Sequence, residues 1–310
     1  MVVVITNCTN RKRRPVTSGL SAASLAVGDL ASVAEEWGRR LQCPAPRFPV
    51  LDLYGGRSFQ EAKASATAIR ANLFIVSAGL GLIEAAGEIP SYACTVATGA
   101  VDGIGPKVLG DFSSADWWAQ LNQVSPFTIK LADVFSGNGS ELFLAALSDS
   151  YIRMLSPDLL ALADSDLLKL RLFTRAPIEG IPDRLRQCVM PYDDRLDGPQ
   201  SLVRGTRSDF AGRSLRHFTD YVLPGTEGFT AQQHRKSVEL AMAGWSFPVS
   251  VERGRLSDDQ ILDLLNKHWE EARGSTSVLL RLFRDKLNVA CEQSRFATLA
   301  RHVRMERANG

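Results

Sequence analysis

The chain begins with a run of β-branched residues that stops abruptly at small polar and basic ones. Residues 2–5 form the run, and residues 6–12 follow it as Thr-Asn-Cys-Thr-Asn-Arg-Lys. Such a short apolar run is typical of a strand buried on both faces of a sheet. Because ligands bind beyond the carboxyl ends of strands in a parallel α/β sheet, we expect Asn7, Thr9 and Lys12 at a binding site. A surface turn after an edge strand is the alternative.

Apolar runs alternate with helical patterns along most of the chain. Further strands are predicted at residues 48–54, 73–77, 141–147 and 168–174. Helices are predicted at residues 20–41, 58–71 and 151–162, where apolar residues recur at helical spacing. Alternation of this kind predicts an α/β fold, with a parallel sheet between two layers of helices.

The length and texture of the chain predict two parts. At 310 residues the chain is long for one domain. Residues 188–221 carry many glycines, prolines and arginines, which favours a loop-rich segment with an arginine surface that includes Arg207. Ser257 followed by Asp-Asp-Gln is typical of a helix start. We therefore expect an α/β domain over residues 1–225 and a helical region over residues 226–310.

Composition excludes several classes of protein. The formal net charge is only +2, so any affinity for nucleic acid must come from local patches. No apolar run approaches the length of a membrane span, and no signal peptide precedes the first strand, which predicts a cytoplasmic protein. The five cysteines lie far apart, which argues against a zinc site, an iron–sulfur cluster or a disulfide framework. We expect neither a metal nor a cofactor.

A second polar segment follows the strand predicted at residues 48–54. It reads Leu-Tyr-Gly-Gly-Arg-Ser-Phe at residues 53–59 and is preceded by Asp52. Its two glycines allow a ligand to approach the backbone, and the start of the next helix favours negative charge. A third segment, Ser-Ala-Gly-Leu-Gly at residues 77–81, matches no phosphate-binding fingerprint. Glycines that serve only a tight connection are the alternative for the second segment.

Together these segments resemble a known family. Asn-Cys-Thr-x-x-Lys from Asn7, residues 53–62 and Ile-Val-Ser-Ala-Gly-x-Gly-Leu at residues 75–82 are similar to the uracil-DNA-glycosylase-like domains of archaeosine-synthesis proteins. They resemble more closely the bacterial antiphage DNA glycosylases, which remove modified cytosines from phage DNA. The matching motifs cover residues 1–95. The Gly-Gln-Asp-Pro-Tyr-His and His-Pro-Ser-Pro-Leu motifs of ordinary uracil-DNA glycosylases are absent.

The resemblance implies base excision without a cofactor, and the residues offer suitable chemistry. Breaking an N-glycosidic bond needs stabilisation of a cationic sugar, a placed water and donors for the departing base. Asp52 and Asn7 are the predicted catalytic residues. The predicted substrate-binding residues are Thr9, Tyr54, Gly55, Arg57, Phe59, Ser77, Gly79 and Tyr92. Lys12 is expected to contact a flanking phosphate, while its use as a Schiff-base nucleophile is considered less favourable than attack by water.

The end of the chain combines apolar residues with arginines. Arg281, Arg284 and Arg304 are predicted, with Arg207, to contact the phosphates of double-stranded DNA that carries modified bases. A solvated helical surface is the alternative. We expect contact neither with a membrane nor with an obligate protein partner. Excision is expected for hydroxymethylated or glucosylated cytosine, with little action on cytosine or uracil.

Two other functions remain open at this stage. A nucleoside- or nucleotide-processing enzyme similar to a deoxyribosyltransferase would use the same sheet, but would act on free nucleosides and need no basic surface. A DNA-binding protein without catalytic activity would bind duplex DNA and leave every base in place.

Overall fold

The computed structural model describes residues 1–137, 139, 141–226, 228–249 and 254–309, with side chains to residue 307. The chain divides into two compact units, Met1–Pro248 and Val249–Gly310. The sequence analysis predicted a boundary at residue 225. In the structure the boundary lies at residue 248, because the helix that follows residue 230 belongs to the first unit.

The first unit contains seven strands and ten α-helices among the described residues. The strands are β1 Val2–Asn7, β2 Arg47–Pro49, β3 Asn72–Ser77, β4 Gly81–Glu84, β5 Glu88–Pro90, β6 Leu142–Ala146 and β7 Leu170–Phe173. The helices are α1 Leu30–Gln42, α2 Val50–Leu53, α3 Arg57–Ala68, α4 Ser114–Val124, α5 Leu131–Ser136, α6 Asp149–Ala161, α7 Asp164–Leu167, α8 Asp183–Arg186, α9 Phe210–His217 and α10 Ala231–Ala241. A π-helical turn, Phe218–Val222, follows α9. Short 3₁₀ turns occur at Ala22–Ser24, Gly105–Lys107, Ile178–Gly180, Asp194–Asp197 and Arg207–Asp209.

Five of the strands form the central sheet in the order β4, β3, β1, β6, β7. β1 lies parallel to β3 and β6, and Ile5 stands opposite Phe74 on one side and Ala145 on the other. β7 continues the parallel arrangement, whereas β4 is antiparallel to β3. The predicted α/β class with a largely parallel sheet is confirmed. The order of strands reverses at β1, so the crevice between the carboxyl ends of β1 and β6 is the usual position of a ligand in such sheets.

The strand predicted at residues 48–54 is wrong. Only Arg47–Pro49 is extended, and it pairs with β5 in a separate two-stranded sheet. Pro49 then caps the short helix α2, which contains Asp52. The helix predicted from residue 20 also begins later, at Leu30, where the Asp29 side chain accepts a hydrogen bond from the Ser32 amide.

The segment at residues 188–221 is more ordered than the sequence indicated. It contains α9, and Arg213 on that helix is fully buried instead of forming part of an arginine surface. Its guanidinium lies 2.6 Å from both Asp209 and Asp197 and also donates to the carbonyls of Leu196, Val203 and Thr206. Arg213 therefore pairs with two carboxylates at once, and its bonds hold this segment together around one buried cluster of charges.

A second buried arginine joins α10 to the sheet. Arg171 of β7 donates from Nε to Nδ1 of His234 at 2.9 Å and from its terminal nitrogens to three carbonyls, one of them that of Phe229. Nε2 of His234 then donates to the Thr226 carbonyl at 3.1 Å. Burial, and secondarily the charge of Arg171, lowers the pKa of His234 to about 4. Burial likewise lowers the pKa of His217, which is bonded to Tyr192, to about 4.

These two histidines predict a fall in stability at acid pH. Both remain neutral in the folded protein, while histidines of the unfolded chain take up protons below a pKa of about 6.5. The free energy of unfolding should therefore decrease as pH falls from 7 to 5, by about 2 kcal/mol for each histidine. Urea unfolding at a series of pH values measures this slope. His234→Gln should reduce this slope, whereas substitution of the exposed His302 should leave it unchanged. An equal slope in the parent protein and in both variants would contradict the conclusion that His234 stays neutral in the folded protein.

The second unit is helical, with a short parallel pair of strands. Its elements are β8 Gly254–Arg255, α11 Asp258–His268, α12 Thr276–Asp285, β9 Val289–Ala290 and α13 Gln293–Asn309. The predicted helix start at Ser257 is confirmed, since its hydroxyl accepts from the Gln260 amide while the Gln260 side chain accepts from the Ser257 amide. Phe283 and Phe296 pack edge to face in the core of this unit. Within the described ranges of the chain, no helix is long and apolar enough to cross a bilayer.

Candidate functional site

A chain of buried hydroxyl groups lies beyond the carboxyl ends of β1 and β3. Tyr92 Oη is 2.8 Å from Tyr54 Oη and 2.5 Å from Ser77 Oγ, and both tyrosines are fully buried. Ser77 Oγ accepts from the amides of Gly79 and Leu80. Burial raises the pKa of both tyrosines well above the usual value of 10, so both phenols stay neutral near pH 7. The structure thus joins three residues that the sequence analysis selected from three separate segments.

Lys12 covers this hydroxyl chain. Its Nζ lies 4.0 Å from the centroid of the Tyr92 ring and 5.8 Å from that of Tyr54. Residues 11–13 are held beside residues 53–55 by backbone bonds from Arg13 N to Leu53 O and from Gly55 N to Arg11 O. The side chain is half-buried, which does not fit the predicted contact with a flanking phosphate, since such contacts are made by exposed cations.

Asn7 connects β1 to β6 at the point where the strand order reverses. Its Oδ1 accepts from the backbone amide of Ser148 at 3.1 Å, and its Nδ2 donates to the Cys8 carbonyl at 3.0 Å. Ser148 is the residue before α6, and Asp149 lies in the first turn of that helix, half-buried, with its carboxylate 2.6 Å from Arg153. Asn7 therefore lies close to a carboxylate that the sequence analysis did not select.

Asp149 is the residue that sequence reasoning missed. The signal was present, because Ser-Asp-Ser follows the apolar run of β6 and precedes a helix. The same pattern, polar residues directly after a strand, is the one that predicts a binding site at Asn7. Asp52, which was selected instead, is exposed in α2, and it makes neither a hydrogen bond nor an ion pair within the part of the chain that the structure describes. No contact between described residues brings Asp52 to Asn7, because Asp52 lies in a short helix and not at the end of the strand predicted at residues 48–54.

Cys8 lies on the same edge of the sheet. Its thiol is buried and lies 3.1 Å from Oη of Tyr151, on α6. Burial raises the pKa of Tyr151 well above its usual value, so this phenol is neutral as well. Cys8 and Tyr151 together tie the end of β1 to the first turns of α6.

Thr9 and the two glycines form the turn that begins α3. Thr9 Oγ1 accepts from the Gly56 amide at 3.2 Å, and a Cβ added at Gly56 would lie 2.5 Å from the Thr9 side chain. Gly55 donates its amide to the Arg11 carbonyl, and a Cβ there would approach the Arg13 side chain to 3.2 Å. Glycine at residue 56 is therefore required by close packing of the turn itself.

Three of the predicted substrate-binding residues have structural partners. Arg57 is about half exposed, but its guanidinium contacts Asp209, Glu61 and the Arg204 carbonyl. Phe59 is fully buried, with its ring centroid 5.2 Å from that of Tyr54. At Gly79, a Cβ would lie 2.7 Å from the Tyr92 ring, which explains the glycine by packing of that ring. These residues support the site rather than line it.

A cleft of about 520 Å³ opens at the carboxyl end of β7, on the same edge of the sheet as Asn7. Arg175 and Asp194 form an ion pair in its wall at 2.5 Å. Arg235 and Phe247 also line it, and the Phe247 ring is 60% exposed. No residue of this cleft was selected from the sequence, because its walls come from segments far apart in the chain.

The predicted DNA-binding arginines differ in their surroundings. Arg281 is exposed and unpaired among the described residues, and it lines, with Arg284, a cleft of about 490 Å³ between α12 and α13. Arg284 also lines a second cleft of about 500 Å³, together with Arg255 and Arg295. Arg304 instead donates to the Gly274 carbonyl and the Thr276 hydroxyl, and its guanidinium lies 5.9 Å from the Trp269 ring centroid.

Arg207, the remaining predicted DNA contact, is exposed in a 3₁₀ turn of the first unit. It forms neither an ion pair nor a side-chain hydrogen bond with any other described residue. It therefore has the exposure that a phosphate contact needs.

Across the ranges that the structure describes, no three His, Cys, Asp or Glu side chains are grouped so as to hold a metal ion.

The motif segments that carry the resemblance to the antiphage glycosylases meet in one place. Lys12 from the first segment and Ser77 from the third both contact Tyr92, and Tyr54 of the second bonds to its hydroxyl.

Comparisons of the whole chain with models of protein families, with curated proteins and with solved structures find no match.

Proposed function

We propose that this protein is a DNA glycosylase with a uracil-DNA-glycosylase-like fold. It acts in the cytoplasm on double-stranded phage DNA and excises a hydroxymethylated or glucosylated cytosine. The product is an abasic site, which blocks phage replication. The observation that carries the proposal is the convergence of the three motif segments on Tyr92, at the edge of the sheet where α/β enzymes bind ligands.

The crevice between β1 and β6 supplies groups that suit this reaction. Loss of the base leaves positive charge on the sugar, and a carboxylate nearby lowers the energy of that transition state. Asp149 provides this carboxylate in the proposed mechanism. The sequence analysis predicts Asp52 for the same role. Asn7 fixes the amide of Ser148 and thereby the position of the first turn of α6. The second hydrogen of Asn7 Nδ2 is left to orient the sugar.

Selection of a modified base requires contacts to the added group. Plain and modified cytosine share the same glycosidic bond, so discrimination comes from the space and polar groups around the substituent. Polar groups that lose water to bind a hydroxyl-rich substituent reject a base that lacks it, because they are left without partners. The polar cleft at the end of β7, with Arg175, Asp194 and Arg235, is the proposed position of this substituent.

The arginines of the second unit provide a grip on the DNA backbone. Arg281 and Arg284 line one cleft with the polar side chains of Ser277 and Gln293. Contacts of arginine with phosphate position a protein on DNA without reading its sequence. The target base must also leave the helix before it reaches a buried site, which costs a few kcal/mol and needs such a grip.

Arg281 and Arg304 should respond differently to substitution. Arg281→Ala removes an exposed phosphate contact, so the slope of log Kd against log salt should become shallower by about one unit. Arg304→Ala breaks the bonds to Gly274 and Thr276, and should mainly lower the melting temperature. Fluorescence anisotropy with duplex DNA at several salt concentrations measures the slope. Lys267→Ala on α11 removes an exposed cation outside both clefts and serves as control; an unchanged slope in Arg281→Ala would assign that face to solvent.

Release of bases from defined duplexes tests the proposed function. The purified protein is incubated with matched duplexes that contain glucosylated hydroxymethylcytosine, hydroxymethylcytosine, cytosine or uracil at one position. An abasic endonuclease then converts each abasic site to a strand break that is counted on a gel. We expect breaks in the first two duplexes and at least a hundredfold fewer in the others.

Two other results would overturn the proposal, and a third would overturn only its selectivity. Exchange or hydrolysis of free deoxynucleosides, with every duplex intact, would favour the nucleoside-processing enzyme. Tight binding of duplex without release of any base would favour a DNA-binding protein. Equal release of uracil and modified cytosine would retain the glycosylase but overturn its selectivity.

A further inference from the structure

The environment of the Lys12 amine is unusual for a lysine. Nζ lies against the face of the Tyr92 ring, and it neither donates a hydrogen bond to any described residue nor forms an ion pair with one. Three other lysines of the first unit that are at least partly buried have polar partners: Lys63 bonds to the Leu51 carbonyl, Lys107 to two carbonyls, and Lys169 to Asp166. Lys12 is therefore held in position by its backbone pairing with residues 53–55 and by packing, while its nitrogen contacts the Tyr92 ring face and has no hydrogen-bonding partner among the described residues.

The groups around Lys12 leave its amine largely without compensating charge. Cys8, Cys94, Asp102 and the face of the Tyr92 ring favour the ammonium form, but loss of water by burial opposes them and lowers the pKa of Lys12. Burial raises the pKa of the Cys94 thiol and of the Tyr54 and Tyr92 phenols, so these groups are neutral. Asp102 is the charged group that remains, and its Oδ1 already accepts from Ser21 at 3.0 Å. A neutral lysine amine is a nucleophile, whereas an ammonium is not.

On the basis of the proposed function, we propose that Lys12 is the nucleophile of this site and forms a covalent imine with the deoxyribose of the target nucleotide. Lys12 lies five residues after Asn7, on the segment that leaves β1 at the crevice. An amine there replaces the attacking water of a simple hydrolytic glycosylase. It also explains why this amine lies over the Tyr92 ring, half-buried, instead of extending into solvent.

The step balances as follows. The lone pair of Nζ forms a bond to C1′, and the bond between C1′ and the base breaks with its electrons, so that the base leaves with one proton of the amine. The C1′–O4′ bond then opens, O4′ takes the second proton, and a neutral imine joins Nζ to C1′. Addition of water to the imine returns the free amine and leaves an abasic aldehyde. Loss of a proton from C2′ before that addition expels the 3′ phosphate and breaks the strand.

Trapping with borohydride tests the covalent step. Hydride adds to C1′ of the imine and converts it to a stable secondary amine, which appears as a protein–DNA adduct on a denaturing gel. We expect adducts with duplex that carries glucosylated hydroxymethylcytosine, and mass spectrometry should locate the DNA on Lys12. Lys12→Met and Lys12→Arg should each lose the adduct and release base at least a hundredfold more slowly. Lys169→Ala, on the opposite edge of the sheet, should behave as the parent protein.

Base release by the parent protein without an adduct, together with near-normal release by Lys12→Met, would overturn the inference while the proposed function stands. An Arg variant that restores full activity would also overturn it, because arginine supplies charge but forms no imine. Circular dichroism of each variant establishes that it is folded.

A second measurement tests the nucleophilic amine of Lys12 independently of base release. It applies even if no duplex loses a base, which is the result that would overturn the proposed function. Reductive methylation with limiting formaldehyde and cyanoborohydride at pH 6.5 modifies neutral amines, and mass spectrometry gives the rate for each lysine. We expect Lys12 to react at least fivefold faster than the exposed, unpaired Lys130. A slower reaction at Lys12 than at Lys130 would overturn the proposed nucleophile.

Discussion

Replacement of Arg213 by methionine should lower the free energy of unfolding of the first unit by about 3–5 kcal/mol. The side chain is fully buried on α9, and its guanidinium neutralises Asp209 and Asp197, both at 2.6 Å. Methionine fills a similar volume but leaves a buried carboxylate at Asp209 without its main partner. Removal of one member of a buried ion pair is costly because the other charge stays out of water.

A matched variant on the same helix isolates this effect. Arg216 pairs with Asp220 alone and is partly exposed, so Arg216→Met should cost less than about 1 kcal/mol. Urea unfolding monitored by circular dichroism compares the two variants with the parent protein. Equal losses would contradict the central position of Arg213 in this segment. The same cluster holds Arg57 through Asp209, so Arg213→Met should also loosen the start of α3.

The sequence was sufficient for the parallel sheet because its strands are buried on both faces. Residues 2–5 and 73–76 are continuous apolar runs, which is the pattern of strands covered on both faces of a parallel sheet. The antiparallel strand β4 was not predicted, since Gly81 and its neighbours have the composition of a turn. The positive φ of Gly81, +87°, fits that composition, but the following residues pair back along β3.

The candidate site was predictable only in part, for a related reason. Asn7, Lys12, Tyr54, Ser77 and Tyr92 were found because they follow apolar runs or stand in recognisable motifs. The strand predicted around Asp52 was wrong because the apolar residues after Phe48 are compatible with both a strand and a short helix. Only Arg47–Pro49 pairs with β5, and the residues that follow are helical. The difference between Lys12 and an ordinary surface lysine depends on contacts with the Tyr92 ring, which lies 80 residues further along the chain.

The role proposed for Asp149 leads to the prediction with the largest expected effect on activity. Asp149→Asn and Asn7→Ala should each slow base release by about a hundredfold or more, while the chain stays folded. In the first variant the carboxylate proposed to stabilise the cationic sugar loses its charge. In the second the Ser148 amide loses its partner, so the first turn of α6 is no longer fixed against β1. Stability should change by about 1 kcal/mol at most, since Asp149 has only a surface pair with Arg153 and Asn7 is half-buried.

Two exposed residues of the same types provide the controls. Asp52→Asn and Asn10→Ala change exposed side chains that have no partner among the described residues, and both variants should release base at the rate of the parent protein. Single-turnover release from duplex with glucosylated hydroxymethylcytosine measures the chemical step separately from product release. A large loss in Asp52→Asn with normal rates in Asp149→Asn would return the catalytic role to Asp52, and would mean that the crevice between β1 and β6 is not where the glycosidic bond breaks.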